Sequence, residues 1–216
     1  MAAGKRLKFQ GSTLQVSTGT AATKTITDIS ETDPALVTSV AHGLLLGAVG
    51  RIEAVVGMTE LNGNLYVVDN PDTDDFELAG VDATGYTPYT SGGTFAPLVF
   101  SAFCELTRVD QQDGTTDENE VTTICSTAKE FETGLSDAGT LTLNYNFAPN
   151  TGVQAAMRAA KVAGDEIAVR ITFPNSGGTI VMIGSVQQSS FSGAVSGVWT
   201  GSTTLKLSGE IFVLAA

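Results

Sequence analysis

The stretch Ile167-Ala-Val-Arg-Ile-Thr-Phe-Pro-Asn-Ser-Gly-Gly-Thr-Ile-Val-Met-Ile-Gly-Ser-Val186 decides the fold class. Apolar and polar side chains alternate in Ile167–Phe173, which is typical of a strand with one buried face. Pro174–Gly178 consists of turn-forming residues, and a second apolar run, Thr179–Val186, follows it directly. Because two strands joined by so short a turn run antiparallel, this stretch predicts a β-hairpin.

Similar alternating segments lie on both sides of this hairpin, separated by residues that favour turns. They predict further strands at Leu7–Gln10, Thr13–Ser17, Leu98–Val109, Val121–Cys125, Thr140–Phe147, Val198–Leu207 and Glu210–Leu214.

One helix is predicted among these strands. Val153, Met157 and Ala160 recur at helical spacing, and Gly164 supplies a left-handed stop. At the start of this helix, Thr151 and Gln154 have the spacing of a capping box. Together with the strands, this pattern predicts an all-β fold, an antiparallel β-sandwich or barrel core covered by one α-helix.

Residues 26–97 differ from the rest of the chain in charge. They contain eleven acidic side chains and one basic one, Arg51, and so carry −10 of the formal net charge of −12. Short apolar runs alternate there with turn signals such as Asn62-Gly63, as in a small β-barrel. We predict that residues 1–25 and 98–216 form the core and that 26–97 is an inserted domain projecting from its surface.

Composition excludes several classes of protein. An acidic chain is not expected to hold nucleic acid, because phosphate binding depends on Lys and Arg. Cys104 and Cys125 lie in alternating apolar patterns, so we expect buried reduced thiols and no disulfide framework. No secretory signal follows Met1, and no apolar run approaches the roughly 18 residues of a membrane span, so we expect neither feature.

No residue pattern indicates catalysis, a metal or a cofactor. His42 is the one histidine and precedes Gly43 in a turn, so a structural role is favoured over a catalytic one. Phe191 and Trp199 are expected in the core. Four aspartates lack EF-hand spacing and predict a solvated turn: Asp69, Asp72, Asp74 and Asp75. We therefore expect no enzyme activity.

The segment Asp110–Glu120 contains no apolar residue and is predicted to be a mobile loop, since it has no side chains with which to build a core. It lies within a larger acidic region, Glu105 to Glu132, in which eight acidic residues face Arg108 and Lys129.

Element order and several short motifs carry a family resemblance. Glu132-Thr-Gly134 and Asp137–Leu143 precede the helix, and Ile171-Thr-Phe-Pro-Asn175 and a Thr-rich final hairpin follow it. This order resembles the major tail tube protein of lambda-like long-tailed bacteriophages. The resemblance implies a structural virion protein whose six-fold rings stack into a hollow tube for genome delivery. It also implies that a loop at Asp110–Glu120 becomes ordered against the next ring.

The same resemblance suggests partners and a site. The partners would be further copies of the chain, the tape measure, tail tip and terminator proteins, and double-stranded DNA that passes without specific binding. Assembly would take place in the host bacterial cytoplasm. Because a conduit should not attract phosphate, carboxylates are favoured on its inner wall. The candidates for the lumen and the inter-ring region are Glu105, Asp117, Glu118, Glu120, Glu130 and Glu132.

The insert has a resemblance of its own, to a small β module of phage structural proteins that is related to the FCCH domain of ubiquitin-activating enzymes. The motifs that carry it are Val37-Thr38, His42-Gly43-Leu44, Gly57–Gly63, Phe76–Leu78 and Tyr89–Gly93. Two alternative functions stay open for the whole chain. One is a host-surface-binding, adhesin-like β protein, and the other is a head-tail connector or terminator that closes a single ring.

Overall fold

The computed structural model describes residues 7–214. They form sixteen strands, one α-helix and a short 3₁₀ helix at Thr59–Leu61. The α-helix, α1, spans Gly152–Ala163. The strands are β1 Thr13–Thr20, β2 Lys24–Thr25, β3 Asp28–Ile29, β4 Ala35–Thr38, β5 Val49–Val56, β6 Leu65–Asp69, β7 Asp75–Leu78, β8 Ser91–Ala102, β9 Leu106–Gln112, β10 Thr116–Glu120, β11 Phe131–Ser136, β12 Thr140–Asn146, β13 Glu166–Thr172, β14 Thr179–Ser192, β15 Thr200–Leu207 and β16 Phe212–Leu214.

The predicted hairpin forms the centre of the core. β13 and β14 pair antiparallel, with Ile171 opposite Ile180. β14 continues to Ser192, six residues beyond the predicted end at Val186. The core strands follow the order β8-β1-β13-β14-β15-β12-β9, and all of them except β8 contribute to one apolar cluster. The prediction of an all-β antiparallel fold with one helix is confirmed.

Helix α1 covers this cluster through Val153, Met157 and Ala160, and Gly164 ends it with φ +76°. The predicted capping box is wrong. Thr151 makes no side-chain cap, and the buried Gln154 instead bonds the chain before the helix. Its Oε1 accepts from the Ala148 N–H and its Nε2 donates to the Asn146 carbonyl, each at 3.0 Å. The polar side chain therefore stabilises the β12–α1 connection rather than the helix end.

Residues of the insert form a small closed barrel. Its strands follow the order β4-β7-β6-β5-β8, and the segment Lys24–Ile29 pairs with β8 through β2 and with β4 through β3. Phe76 and Phe95 lie in a buried cluster at its centre, with ring centroids 5.1 Å apart. Closure removes the free strand edges that a small sheet would otherwise expose.

The barrel and the sandwich share a strand and an apolar contact. β8 pairs with β5 over Ser91–Pro97 and with β1 over Leu98–Ala102. A third buried cluster joins residues of the barrel, the core strands and β16: Val49, Leu65, Val67, Ala79, Ala168, Val181, Ile183 and Leu214. We call these residues the junction cluster. They bury apolar surface from both parts of the chain, so each part stabilises the other.

Three local predictions are wrong. Leu7–Gln10 is a bend and turn, and Val121–Cys125 ends in a turn instead of forming a strand. Both cysteines are exposed, because Cys104 lies in the turn before β9 and Cys125 in the turn after β10. Alternation of apolar and polar residues over four or five positions is also compatible with loops, which explains these errors.

Candidate assembly surfaces

Four core strands, β14, β15, β12 and β9, present a polar face on the side away from the core. Alternation along each strand places Leu141, Leu143 and Leu205 inside and hydroxyls and amides outside. Strand register brings the outward residues into rows, with Ser190 beside Ser202 and Ser202 beside Asn144. We call the following residues the hydrophilic face: Gln188, Ser190, Ser202, Thr204, Lys206, Thr140, Thr142, Asn144, Arg108, Asp110 and Gln112.

The charges on the hydrophilic face are locally balanced. Arg108 Nε donates to Asp110 Oδ1 at 2.9 Å, and this hydrogen bond raises the pKa of the Arg108 guanidinium. Lys206 donates to Asp137, and this bond, helped by the Gly139 N–H, lowers the pKa of the Asp137 carboxyl. All four groups are solvated, so the pairs contribute little to stability. Their effect is a surface that is polar but close to neutral.

The same four strands end in an unpaired edge on each side. Within residues 7–214, β9 has a partner only in β12. β14 pairs with β13 only as far as Ser185, so Gln187–Ser192 has β15 on one side and no strand on the other. Unpaired edges offer a row of backbone donors and acceptors to another chain.

The acidic segment is an extended hairpin, not the predicted loop. Asp110–Gln112 belongs to β9, and Thr116–Glu120 pairs as β10 with β11 in a separate two-stranded sheet. We call residues 116–136 the acidic hairpin. It holds five carboxylates and one basic side chain, Lys129, which lies 3.1 Å from Glu120. Two strands can pair through backbone hydrogen bonds without a buried face, so the absence of apolar residues in 110–120 did not exclude a strand there. A two-stranded hairpin of this kind is only marginally stable alone.

An aromatic group stands at the end of the β14–β15 hairpin. Phe191 stacks on Phe147 with ring centroids 4.8 Å apart, and Trp199 lies 6.0 Å from Phe191. The prediction that Phe191 and Trp199 are core residues is wrong, because their side chains are 63% and 57% exposed. The cause is the extra length of β14, which carries both strands beyond the sandwich.

A comparison with known protein families distinguishes between the alternative functions considered for the chain. The sequence model of the phage tail tube protein (TTP) family matches residues 56–216, about three quarters of the chain. The chain belongs to the phage tail tube protein family. The expected resemblance to a major tail tube protein is thereby confirmed. It is a structural component of the virion tail. No curated protein matches the sequence.

The structure brings together five of the six acidic residues that were predicted to be near the lumen or between rings. Asp117, Glu118 and Glu120 lie on β10, Glu132 on β11 and Glu130 next to it, all in the acidic hairpin. Glu105 lies apart, half-buried in the turn between β8 and β9. The hydrophilic face was missed by sequence reasoning. Its signal was present in the Thr, Ser and Asn residues that alternate along β12 and β15.

The ring of His42, the one histidine, contacts backbone groups of the barrel. His42 is fully buried: its Nδ1 accepts from the Leu44 N–H at 2.9 Å, and its Nε2 lies 3.2 Å from the Asp75 carbonyl oxygen. Between residues 7 and 214 there is no cluster of His, Cys, Asp and Glu side chains that could hold a metal ion. Over the same residues, no helix has the length and apolar character needed to cross a membrane.

Proposed function

We propose that this member of the family assembles into six-fold rings that stack into the hollow tail tube, the conduit for genome delivery. One observation carries the proposal: a four-stranded sheet with a polar, nearly neutral outer face has an unpaired edge on each side. Such a sheet can be continued from copy to copy by strand addition.

The direction of the strands supports closure into a ring. Each of the three pairs in β14-β15-β12-β9 is antiparallel, so β14 and β9 run in opposite directions. A neighbour related by rotation about a common axis then offers its β14 antiparallel to β9. This contact joins two different surfaces, and contacts of that kind close into rings when the rotation allows it.

The hydrophilic face would line the channel. DNA is held on proteins mainly by Lys and Arg against phosphate. Here Arg108 and Lys206 are each paired with a carboxylate, and the other residues of the face are hydroxyls, amides and Asp110. A neutral, hydrated wall of this kind does not bind the duplex, and the DNA keeps its counterions as it passes. DNA would pass without specific binding.

The acidic hairpin would form the contact between rings. Five carboxylates on a marginal two-stranded sheet would gain from a basic surface on the next ring, and mixed charges would then help stacking. Outside residues 26–97 and 105–132, the chain carries eight basic and four acidic side chains. Glu118 and Glu120 would take their predicted inter-ring roles in this contact. Glu105 lies apart from the hairpin, and its role at the lumen or between rings stays a prediction.

The inserted barrel would project outside the tube, and the tape measure, tail tip and terminator proteins would meet the tube at its ends. A label tests the first point. Thr73 is exposed on the barrel, so a gold-labelled Thr73→Cys variant, with Cys104 and Cys125 replaced by Ser, should show lateral density on tubes. Label within the channel would contradict the arrangement. We propose that assembly takes place in the host bacterial cytoplasm.

An edge substitution tests ring formation. Natural proteins block sheet edges with lysine. Ser190→Lys on the free edge of β14 should therefore abolish the rings and tubes seen by negative-stain electron microscopy, while size-exclusion chromatography still gives a folded monomer. The matched control is Thr73→Lys on the barrel, which should assemble normally. Assembly of Ser190→Lys at the same concentration as the control would contradict edge pairing, and an adhesin-like monomer would form no rings in any variant.

A further inference from the structure

An apolar cleft opens along the β9 edge of the sandwich. It has a volume of about 360 Å³ and lies between Leu106 and Val109 on one side and Ile171 and Ile180 on the other, with the exposed ring of Phe9 among its lining residues. Lys8 is the charged residue in the lining. The size is that of a pocket for a few large apolar side chains.

The same molecule exposes an apolar projection. We define the aromatic tip as Phe191, Val195, Val198 and Trp199, of which Val195 is fully exposed and Val198 is 71% exposed. Residues 187–201 contain no charged side chain. Both aromatic rings of the tip also contact other residues of the same chain. Phe191 stacks on Phe147, and the Trp199 indole lies so close to Gly193 that a Cβ there would be 2.7 Å from the ring. Rigid aromatic anchors of this kind carry much of the energy of interfaces.

The tip does not fill the cleft of its own chain. Leu106, at the near end of the cleft, lies in one cross-strand row with Phe191, three strand spacings or about 15 Å away. No residue of the tip lines the cleft, and Phe191 and Trp199 are 63% and 57% exposed. Both surfaces therefore stay open on the single chain, and they can meet between molecules as a contact between different patches.

We propose that the aromatic tip of one copy inserts into the apolar cleft of the neighbouring copy in the same ring. The inference rests on the proposed function, because edge pairing supplies the geometry. When β14 of one copy runs antiparallel to β9 of the next, its distal end at Ser192 lies near the beginning of that β9, at Leu106. Leu106 lines the cleft, so the tip arrives at the mouth of the pocket.

The acidic hairpin is the other exposed projection of the chain, and it fits the cleft less well. Phe131 and Leu135 are exposed on it, but so are five carboxylates, and transfer of an ionised carboxylate into an apolar cleft is costly. Lys8 alone cannot pair with five of them. The uncharged tip can enter without leaving a charge unpaired.

Trp199 reports on this contact directly, because it is the one tryptophan of the chain. Its emission should shift to shorter wavelength, and acrylamide should quench it less, when the dilute monomer is concentrated into rings. Rings that form with the emission and quenching of the monomer would overturn the inference and leave ring assembly standing. Failure to form rings at all would contradict the proposed function and this inference with it.

Disulfide trapping identifies the surface that the tip meets. In a Cys104→Ser, Cys125→Ser background, Val198→Cys combined with Leu106→Cys should give a ladder of covalently joined copies when rings are oxidised. Val213→Cys combined with Leu106→Cys is the control for random collision, since Val213 is exposed on β16. Leu135→Cys combined with Leu106→Cys tests the acidic hairpin. A ladder from that pair, or from the control, in place of the Val198 pair would overturn the inference.

Discussion

At the scale of single residues, the half-buried side-chain amide of Asn62 replaces a backbone partner that β5 lacks at Val55. Asn62 closes the turn before β6: its Oδ1 accepts from the Val55 N–H and its Nδ2 donates to the Val55 carbonyl, each at 2.9 Å. The sequence predicted the turn from Asn62-Gly63, and Gly63 has the positive φ of +86° that such a turn uses. It did not reveal that the side chain serves as a strand partner.

Asn62→Ala should lower the free energy of unfolding by about 1–3 kcal/mol, because a partly buried N–H and C=O lose their partner. Denaturant unfolding measures the change. Asn64→Ala is the matched control two residues away, where the exposed amide makes hydrogen bonds of 3.4 Å, and it should cost much less. Equal effects of the two substitutions would contradict the role of Asn62.

Asp137 predicts a dependence of stability on pH. Lys206 and the Gly139 N–H lower the pKa of its carboxyl below the ordinary value of 3.8, so the charged form favours the folded state. The stabilisation is complete above that value and is lost as the pH falls through the lowered pKa. In urea unfolding at low salt, Asp137→Asn should flatten the loss of stability in that acid range. An unchanged slope between wild type and Asp137→Asn would contradict the pair.

At the scale of elements, strands with regular alternation of apolar and polar residues were predicted correctly, and elements without that alternation were missed. The β13–β14 hairpin follows from seven alternating residues and a glycine turn. The acidic hairpin could not be predicted, because β10 and β11 pair through backbone atoms alone. The exposed position of Phe191 and Trp199 was also hidden, since composition does not tell where a strand passes the end of its sheet. The acidic hairpin and the aromatic group are irregular in this sense, whereas the hydrophilic face follows the regular alternation of β12 and β15.

The acidic hairpin predicts a salt-dependent contact between rings. Glu118→Gln together with Glu120→Gln should reduce tube length and its sensitivity to salt, because charges drive this contact, while single rings still form. Glu31→Gln together with Glu53→Gln on the barrel is the matched control, with two exposed glutamates removed. Tube lengths measured by electron microscopy at several salt concentrations distinguish them. A double variant that stacks as the wild type does at every salt concentration would remove the hairpin from the contact.

At the scale of the whole molecule, the barrel and sandwich are separate in charge but joined in packing. The sequence predicted an insert at residues 26–97 from charge and turn signals, and this boundary stays a prediction; in the structure, Lys24–Thr25 also pairs with the barrel and β8 runs through residue 97. It could not indicate the junction cluster, because Val67, Val181 and Leu214 come together from distant parts of the chain. The FCCH-like resemblance of the insert stays a prediction.

Deletion of residues 26–97 should therefore destabilise the sandwich. It would expose Ala168, Val181 and Ile183 and remove the first half of β8. We expect a lower midpoint of thermal unfolding and aggregation on size-exclusion chromatography. Val213→Ala is a control for loss of exposed apolar surface near the same site, with little expected change. A deletion variant as stable as the full chain would show that the barrel does not support the core.

The most direct test is a helical cryo-electron microscopy reconstruction of tubes grown from the concentrated protein. We expect stacked six-fold rings, with Ser202, Thr204 and Asn144 facing the channel, β14 of each copy beside β9 of the next, and the barrel outside. A channel lined by the barrel or by the outer surface of α1 would contradict it. So would single closed rings that never stack, which would favour the connector or terminator alternative.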